Sequence, residues 1–191
     1  FARMDDGSES DTLDTLYIEG VVKDTEGNVI EGAKVEIWHA NGLGTYSFFD
    51  KRQSEFNLRR TILADKAGHY LAQTTMPVGY GCPPEGTTQA LLNKLGRHGN
   101  RPSHVHYFVS APGYRKLTTQ FNIEGDQYLW DDFAFATRDG LVAVAVDVTD
   151  PEELQRLGAS APVKYISFNV ELVKDKEAAP TSEVDRRRAA A

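Results

Sequence analysis

Ala33-Lys34-Val35-Glu36-Ile37-Trp38 sets small or apolar residues against polar ones with a period of two, the pattern of a strand with one buried face. The run Leu16 to Val22 is rich in β-favouring residues and stops at the turn-forming stretch Asp24-Thr25-Glu26-Gly27-Asn28. The same reading predicts strands over His69 to Thr75, His104 to Ser110, Leu117 to Asn122, Leu141 to Val148 and Val163 to Val173. Long loops full of Gly, Pro and Asn separate them. Two short helices are predicted, Thr88 to Leu95 and Pro151 to Leu157, the second with proline in its first turn, where a missing N–H costs nothing. Many strands with few helices predict an all-β chain folded as a β-sandwich with long loops. Three stretches follow: an acidic, extended lead-in over 1–14, a β-sandwich domain over 15–173, and a charged, Ala-rich, solvated tail over 174–191. No internal repeat is present.

The bulk numbers narrow the function little. A length of 191 residues suits one domain with its own core, and 40% hydrophobic with 26% charged is ordinary for a globular protein. The net charge of -7 argues against nucleic acid or anionic membrane as partner. The single cysteine, Cys82, rules out an intrachain disulfide and fits a reducing compartment, so a cytoplasmic location is expected. No apolar run approaches the ~20 residues of a membrane span. No signal peptide is visible, although the sequence opens at Phe1 without an initiator methionine.

Chemistry concentrates at His104-Val105-His106. Residues two apart in a strand share a face, so the two imidazoles aim at one point while Val105 turns away. Imidazole pairs of this kind suit Zn, Cu, Fe or Ni. The loop Gly96-Arg97-His98-Gly99-Asn100-Arg101-Pro102-Ser103 puts Arg101 three residues ahead of His104. A cysteine-rich zinc site is excluded by composition, and no HExxH helix exists. The many carboxylates leave a site of two histidines and one carboxylate open. Two tyrosines in glycine-rich loops, Tyr46 after Gly44-Thr45 and Tyr80 between Gly79 and Gly81, are the other candidate donors. Phenolate is a hard anionic ligand suited to a trivalent ion, whose charge can displace a phenol proton of pKa ~10.

Several segments closely resemble the catechol 1,2-dioxygenases, intradiol ring-cleaving enzymes. They are Val35-Glu36-Ile37-Trp38-His39-Ala40-Asn41, Tyr46-Ser47-Phe48-Phe49-Asp50, Phe56-Asn57-Leu58-Arg59-Arg60, Pro77-Val78-Gly79-Tyr80-Gly81, the stretch from Leu95 through His106, and Trp130-Asp131-Asp132-Phe133-Ala134-Phe135-Ala136. The resemblance runs from the first strand to the tail. It implies one non-haem Fe(III) held by Tyr46, Tyr80, His104 and His106. It also implies an active-site arginine at Arg101, an active-site glutamine at Gln120, and substrate-ring contacts at Phe133 and Ala134. The implied reaction joins catechol and O2 to give cis,cis-muconate, in aromatic catabolism by the β-ketoadipate route. Tyr80 is the implied ligand that catechol displaces and that takes up a catechol proton, while Tyr46, His104 and His106 stay bound. A homodimer is implied for the full-length protein, in which the family's N-terminal helical region builds the dimer contact and one pocket wall; that region is not among these residues.

Other readings compete. Chlorocatechol, hydroxyquinol and protocatechuate enzymes would share the four ligands. A protocatechuate enzyme needs a cation for the substrate carboxylate, and no residue beyond Arg101 offers one. From another class, Gly20-Val21-Val22-Lys23-Asp24 with Gly27 and Gly32-Ala33-Lys34-Val35 resembles transthyretin-like (prealbumin-like) modules that bind without catalysis. That likeness covers the first quarter only. His39 is expected to buttress the core, His69 and His98 to be structural or surface residues, and Asp131 and Asp132 to shape the loop presenting Phe133.

Overall fold

The computed structural model describes residues 1–9 and 12–175. All of the predicted tail after residue 175 lies outside the described residues. The chain is mostly sheet with two short helices. In order, the elements are β1 (Ala2–Arg3), β2 (Thr15–Asp24), β3 (Lys34–Trp38), β4 (Arg59–Leu63), β5 (His69–Thr75), β6 (Tyr80–Gly81), α1 (Thr87–Lys94), β7 (Asn100–Arg101), β8 (His104–Ser110), β9 (Leu117–Ile123), β10 (Val142–Ala143), β11 (Val146–Val148), α2 (Pro151–Leu157), β12 (Val163–Ser167) and β13 (Val170–Leu172).

One sheet runs β1-β5-β2-β12-β11 with β13 also on β2, a second runs β10-β9-β8-β3-β4, and β6 and β7 form a separate ribbon. Inward residues of both large sheets meet in one core: Leu16, Ile18 and Val22 from β2, Val35 and Ile37 from β3, Val105, Tyr107 and Val109 from β8, Phe121 from β9 and Ile166 from β12. Alternation along the strands puts these side chains on the shared face and their neighbours on the other, where Tyr17 packs in a second cluster with Val148, Leu157 and Val163. The opening stretch contributes β1, which pairs in parallel with β5, and Met4 is fully buried in the core.

Two predicted strands are divided. Leu141 to Val148 becomes β10, paired with β9, and β11, paired with β12, so this segment crosses from one sheet to the other. Val163 to Val173 becomes β12 and β13, both parallel to β2 but broken at Phe168-Asn169. The break sits over Gly20, where any Cβ would collide with the Phe168 carbonyl. Asn169 repairs the ladder by accepting from the Val21 N–H at 2.9 Å. Helix α2 matches its predicted bounds: the Asp150 side chain caps the N–H groups of Glu152 and Glu153, and Gly158 ends it in the left-handed conformation.

Candidate metal centre

Strand β8 carries the two histidines, and its registers fix what surrounds them. His106 lies opposite Trp38 of β3 and opposite Gln120 of β9; His104 lies opposite Asn122. The Trp38 ring stacks on the His106 ring at 4.9 Å and 10° between planes, which sets the imidazole's orientation. The His104 Nδ1 is 2.6 Å from the Pro102 carbonyl oxygen. A carbonyl only accepts, so Nδ1 carries the proton and Nε2 presents its lone pair. That arrangement is the usual backing of a metal-bound imidazole.

The ribbon brings in the next two groups, because Tyr80 of β6 is the cross-strand partner of Arg101 of β7. Glycine makes this closure possible. A Cβ at Gly79 would lie 2.6 Å from the Arg101 carbonyl, and one at Gly44 would lie 2.8 Å from the Tyr80 Cβ. The loop before Tyr46 is fixed by Asn41, whose Oδ1 accepts from Leu43 N and Thr45 N.

The polar heads converge. Tyr46 Oη lies 3.2 Å from His106 Nε2 and 3.4 Å from His104 Nε2, and the two Nε2 atoms are 3.0 Å apart. The Tyr80 ring sits 5.5 Å from that of Tyr46 and 5.4 Å from that of His104. Separations of 3.0–3.4 Å are the edge lengths expected between ligands sharing one cation through bonds of roughly 2 Å.

Electrostatics agree. Burial, then the Arg101 charge, lowers His104 to about 4. Burial, then His104, lowers His106 to about 3. Both imidazoles are therefore neutral, as ligands must be. Burial, helped by Tyr80, holds the Tyr46 phenol well above its usual range, so only a strongly charged cation would ionise it. Among the described residues no group of three or more His, Cys, Asp or Glu side chains is placed to hold a metal. The Tyr46 hydroxyl is the further donor beside the two histidines, and a set of two imidazoles with phenol oxygen would suit a hard, high-valent ion.

Arg101, Gln120 and Asp132 flank the centre. Arg101 is only 8% exposed; its Nη1 lies 3.1 Å from His104 Nε2 and its Nη2 donates to Gln120 Oε1 at 3.0 Å. Gln120 in turn donates to Asn122 at 2.8 Å, and Asn122 to Thr137 at 2.6 Å, so its amide orientation is set by a chain of contacts. Beside the centre opens a cavity of about 780 Å³ whose wall includes Tyr46, Tyr80, His106, Trp38, Phe48 and Phe108. Phe133 and Ala134 are not on this wall. They follow Asp132 on its loop, with Phe133 N donating to Asn100 O and Ala134 N to the Asp132 carboxylate.

The remaining histidines are structural. His98 pairs with Asp131 at 3.0 Å, and His69 pairs with Glu19. His39 is buried, with Nδ1 donating to the Ala40 carbonyl at 2.8 Å and Nε2 at 2.7 Å from the Thr74 hydroxyl. Burial lowers it from 6.5 to about 4. The unfolded chain thus takes up this proton first as pH falls. The His39 contribution to stability is full above pH 6.5 and is lost as pH drops to 4, by about 3 kcal/mol. His39→Gln is expected to reduce the difference in unfolding free energy between pH 7 and pH 4 by about that amount, read by urea denaturation at the two pH values. An unchanged difference would remove His39 from the acid limb.

Comparison with known proteins shows the family. The model of the family described as Dioxygenase matches residues 1–172. The catechol 1,2-dioxygenase of Acinetobacter guillouiae is 72% identical over 180 residues, covering 94% of this chain and 59% of that protein. That of Acinetobacter baylyi is 52% identical over 192 residues, covering 100% of this chain and 61% of that protein. The chlorocatechol 1,2-dioxygenase of Cupriavidus pinatubonensis is 38% identical over 135 residues, covering 70% of this chain and 52% of that protein. Among solved structures, wild-type Acinetobacter radioresistens catechol 1,2-dioxygenase superposes with a TM-score of 0.91 at 81% identity, covering 100% of this chain and 62% of that one. The chain spans about six-tenths of the length of the catechol relatives it matches. With match and site in agreement, the chain belongs to the catechol 1,2-dioxygenase family of intradiol dioxygenases.

Proposed function

We propose that the protein cleaves the ring of catechol between its two hydroxyl-bearing carbons, using O2 and giving cis,cis-muconate, at one non-haem Fe(III) held by Tyr46, Tyr80, His104 and His106. The observation carrying this reading is the convergence of the Tyr46 hydroxyl and two neutral imidazoles at 3.0–3.4 Å, with the Tyr80 ring beside them. Bound there, a ferric ion would supply the Lewis acidity and charge transfer that make an electron-rich ring reactive toward O2. The chain's own residues do the rest. Tyr80 would help hold the ion and would be the proton acceptor for a catechol hydroxyl. Tyr46, His104 and His106 keep their places. Arg101 meets negative charge growing on the oxygenated substrate, from a buried position where it acts at short range. Gln120, held by Arg101 and Asn122, orients substrate oxygen. The wall of Trp38, Phe48 and Phe108 offers aromatic surface to the ring.

Catechol is favoured over chlorocatechol because the relatives at 72% and 52% identity are catechol enzymes, against 38% for the chlorocatechol relative. Phe133 and Ala134 belong in this proposal as ring contacts reached through the Asp132 loop. Residues 15–173 form its catalytic unit, a β-sandwich of the prealbumin or transthyretin type, preceded by the lead-in at 1–14. The shared core of the two large sheets supports that architecture. The full-length protein is proposed to be a cytoplasmic homodimer; no helix among the described residues is long and apolar enough to cross a membrane.

Purified protein loaded with iron is expected to be reddish from tyrosinate-to-iron charge transfer, to bleach on chelation, and to consume catechol and O2 one for one. A colourless iron-loaded protein without ring cleavage would favour the non-catalytic binding module.

A further inference from the structure

We propose that Asp132 is a positioning residue, which holds the Arg101 guanidinium so that only its Nη1 edge faces the metal centre. The inference rests on the reading of Arg101 as the group that meets developing negative charge. A guanidinium has five N–H donors: one on Nε and two on each Nη. Here Nε donates to Asp132 Oδ1 at 3.2 Å and Nη2 donates to Asp132 Oδ2 at 3.1 Å, a fork-on-fork pair. The other Nη2 hydrogen goes to Gln120 Oε1 at 3.0 Å. Three donors are thus spent away from the centre, and the two on Nη1, 3.1 Å from His104 Nε2, remain to face it.

Burial makes this pairing matter. Asp132 is 3% exposed and Arg101 8%, so water replaces neither partner. An arginine side chain has several rotatable bonds, and without the carboxylate this one would keep only its contacts with Gln120, His104 and Tyr80, none of them a charged partner. Asp132 is itself fixed, because it accepts from Ala134 N at 3.0 Å and Ala136 N at 3.1 Å. The same carboxylate therefore ties the Arg101 charge to the loop that carries Phe133 and Ala134. Its neighbour Asp131 has no such part: it is exposed and pairs with His98.

The test is a double-variant cycle on the iron-loaded protein. In Asp132→Asn the amide N–H group is set against an Arg101 donor. Iron content, the resting charge-transfer band and the affinity for catechol without O2 are expected to hold, while O2-dependent turnover falls about 10–100-fold, the usual cost of displacing a group by roughly 1 Å. In an Arg101→Ala background the same change is expected to alter turnover by less than about threefold, since nothing is left to position. Equal losses in both backgrounds would make Asp132 a structural prop and overturn the proposal. Normal turnover of Asp132→Asn beside a slow Arg101→Ala would overturn it alone. Normal turnover of Arg101→Ala would overturn the charge reading, and this one with it. If Asp132→Asn leaves an unpaired buried cation and does not fold, the doubly changed protein, which removes both charges, decides. Turnover equal to that of Arg101→Ala supports positioning, and a further tenfold loss overturns it.

Discussion

Arg101→Ala is expected to bind iron normally and keep its resting colour, yet to turn catechol over about 10²–10³-fold more slowly, the usual loss for a preorganised donor aimed at developing charge. Guanidinium has no lone pair to offer, so Arg101 is not a ligand and its removal leaves the four donors in place. Its value lies in where it sits. The backbone of β7 holds it opposite Tyr80, and its Nη1 is 3.1 Å from His104 Nε2. In a site this enclosed a positive charge is screened far less than in water. The catechol complex of the variant should still form under argon, and the defect should appear when O2 is admitted. Loss of iron would instead identify Arg101 as a support for the His104 strand. Near-normal turnover would mean that charge stabilisation comes from another group.

Most of the site is legible in the chain because its parts are local. His-x-His needs only the two-residue strand period, and β8 shows it, with Val105, Tyr107 and Val109 in the core and the histidines on the opposite face. The glycines around the two tyrosines announce close approaches, which Gly44 and Gly79 make. What stays hidden depends on register between distant segments. The place of Trp38 beside the site emerges only when β3 is aligned with β8, which lays its ring on His106. Asp131 and Asp132 are indistinguishable in sequence; the turn of one loop exposes the first and buries the second against Arg101. Phe133 and Ala134, named through family resemblance, are on the loop that Asp132 ties to Arg101. Among the strands, β4 gives no alternating signal because it is an edge strand in which only Ile62 is buried. The division of Leu141 to Val148 follows from a change of sheet, which periodicity does not report.

Tyr46→Phe and Tyr80→Phe are expected to differ sharply, although each removes one phenol oxygen. Tyr46 is built to stay. Its hydroxyl touches both histidine Nε2 atoms, at 3.2 and 3.4 Å. Its loop is pinned by Asn41, and the Thr45 hydroxyl donates onward to Asp50 at 2.8 Å. Tyr80 is held by a two-residue strand with glycine on either side, and its ring borders the cavity where substrate would enter. Glycine flanks lower the cost of moving that backbone. Losing the Tyr46 oxygen should therefore weaken the charge-transfer band both at rest and in the catechol complex. Iron affinity should also fall, because one of two anionic donors is gone from a site whose imidazoles are neutral. Losing the Tyr80 oxygen should change the resting spectrum and slow catechol binding, since a proton acceptor is missing. The spectrum of the catechol complex should stay close to that of the unaltered protein, as follows from the proposal that catechol displaces Tyr80. Absorption spectra of both variants, at rest and with catechol under argon, decide the matter: equal losses in the catechol complex would show that Tyr80 remains bound and that substrate displaces some other ligand.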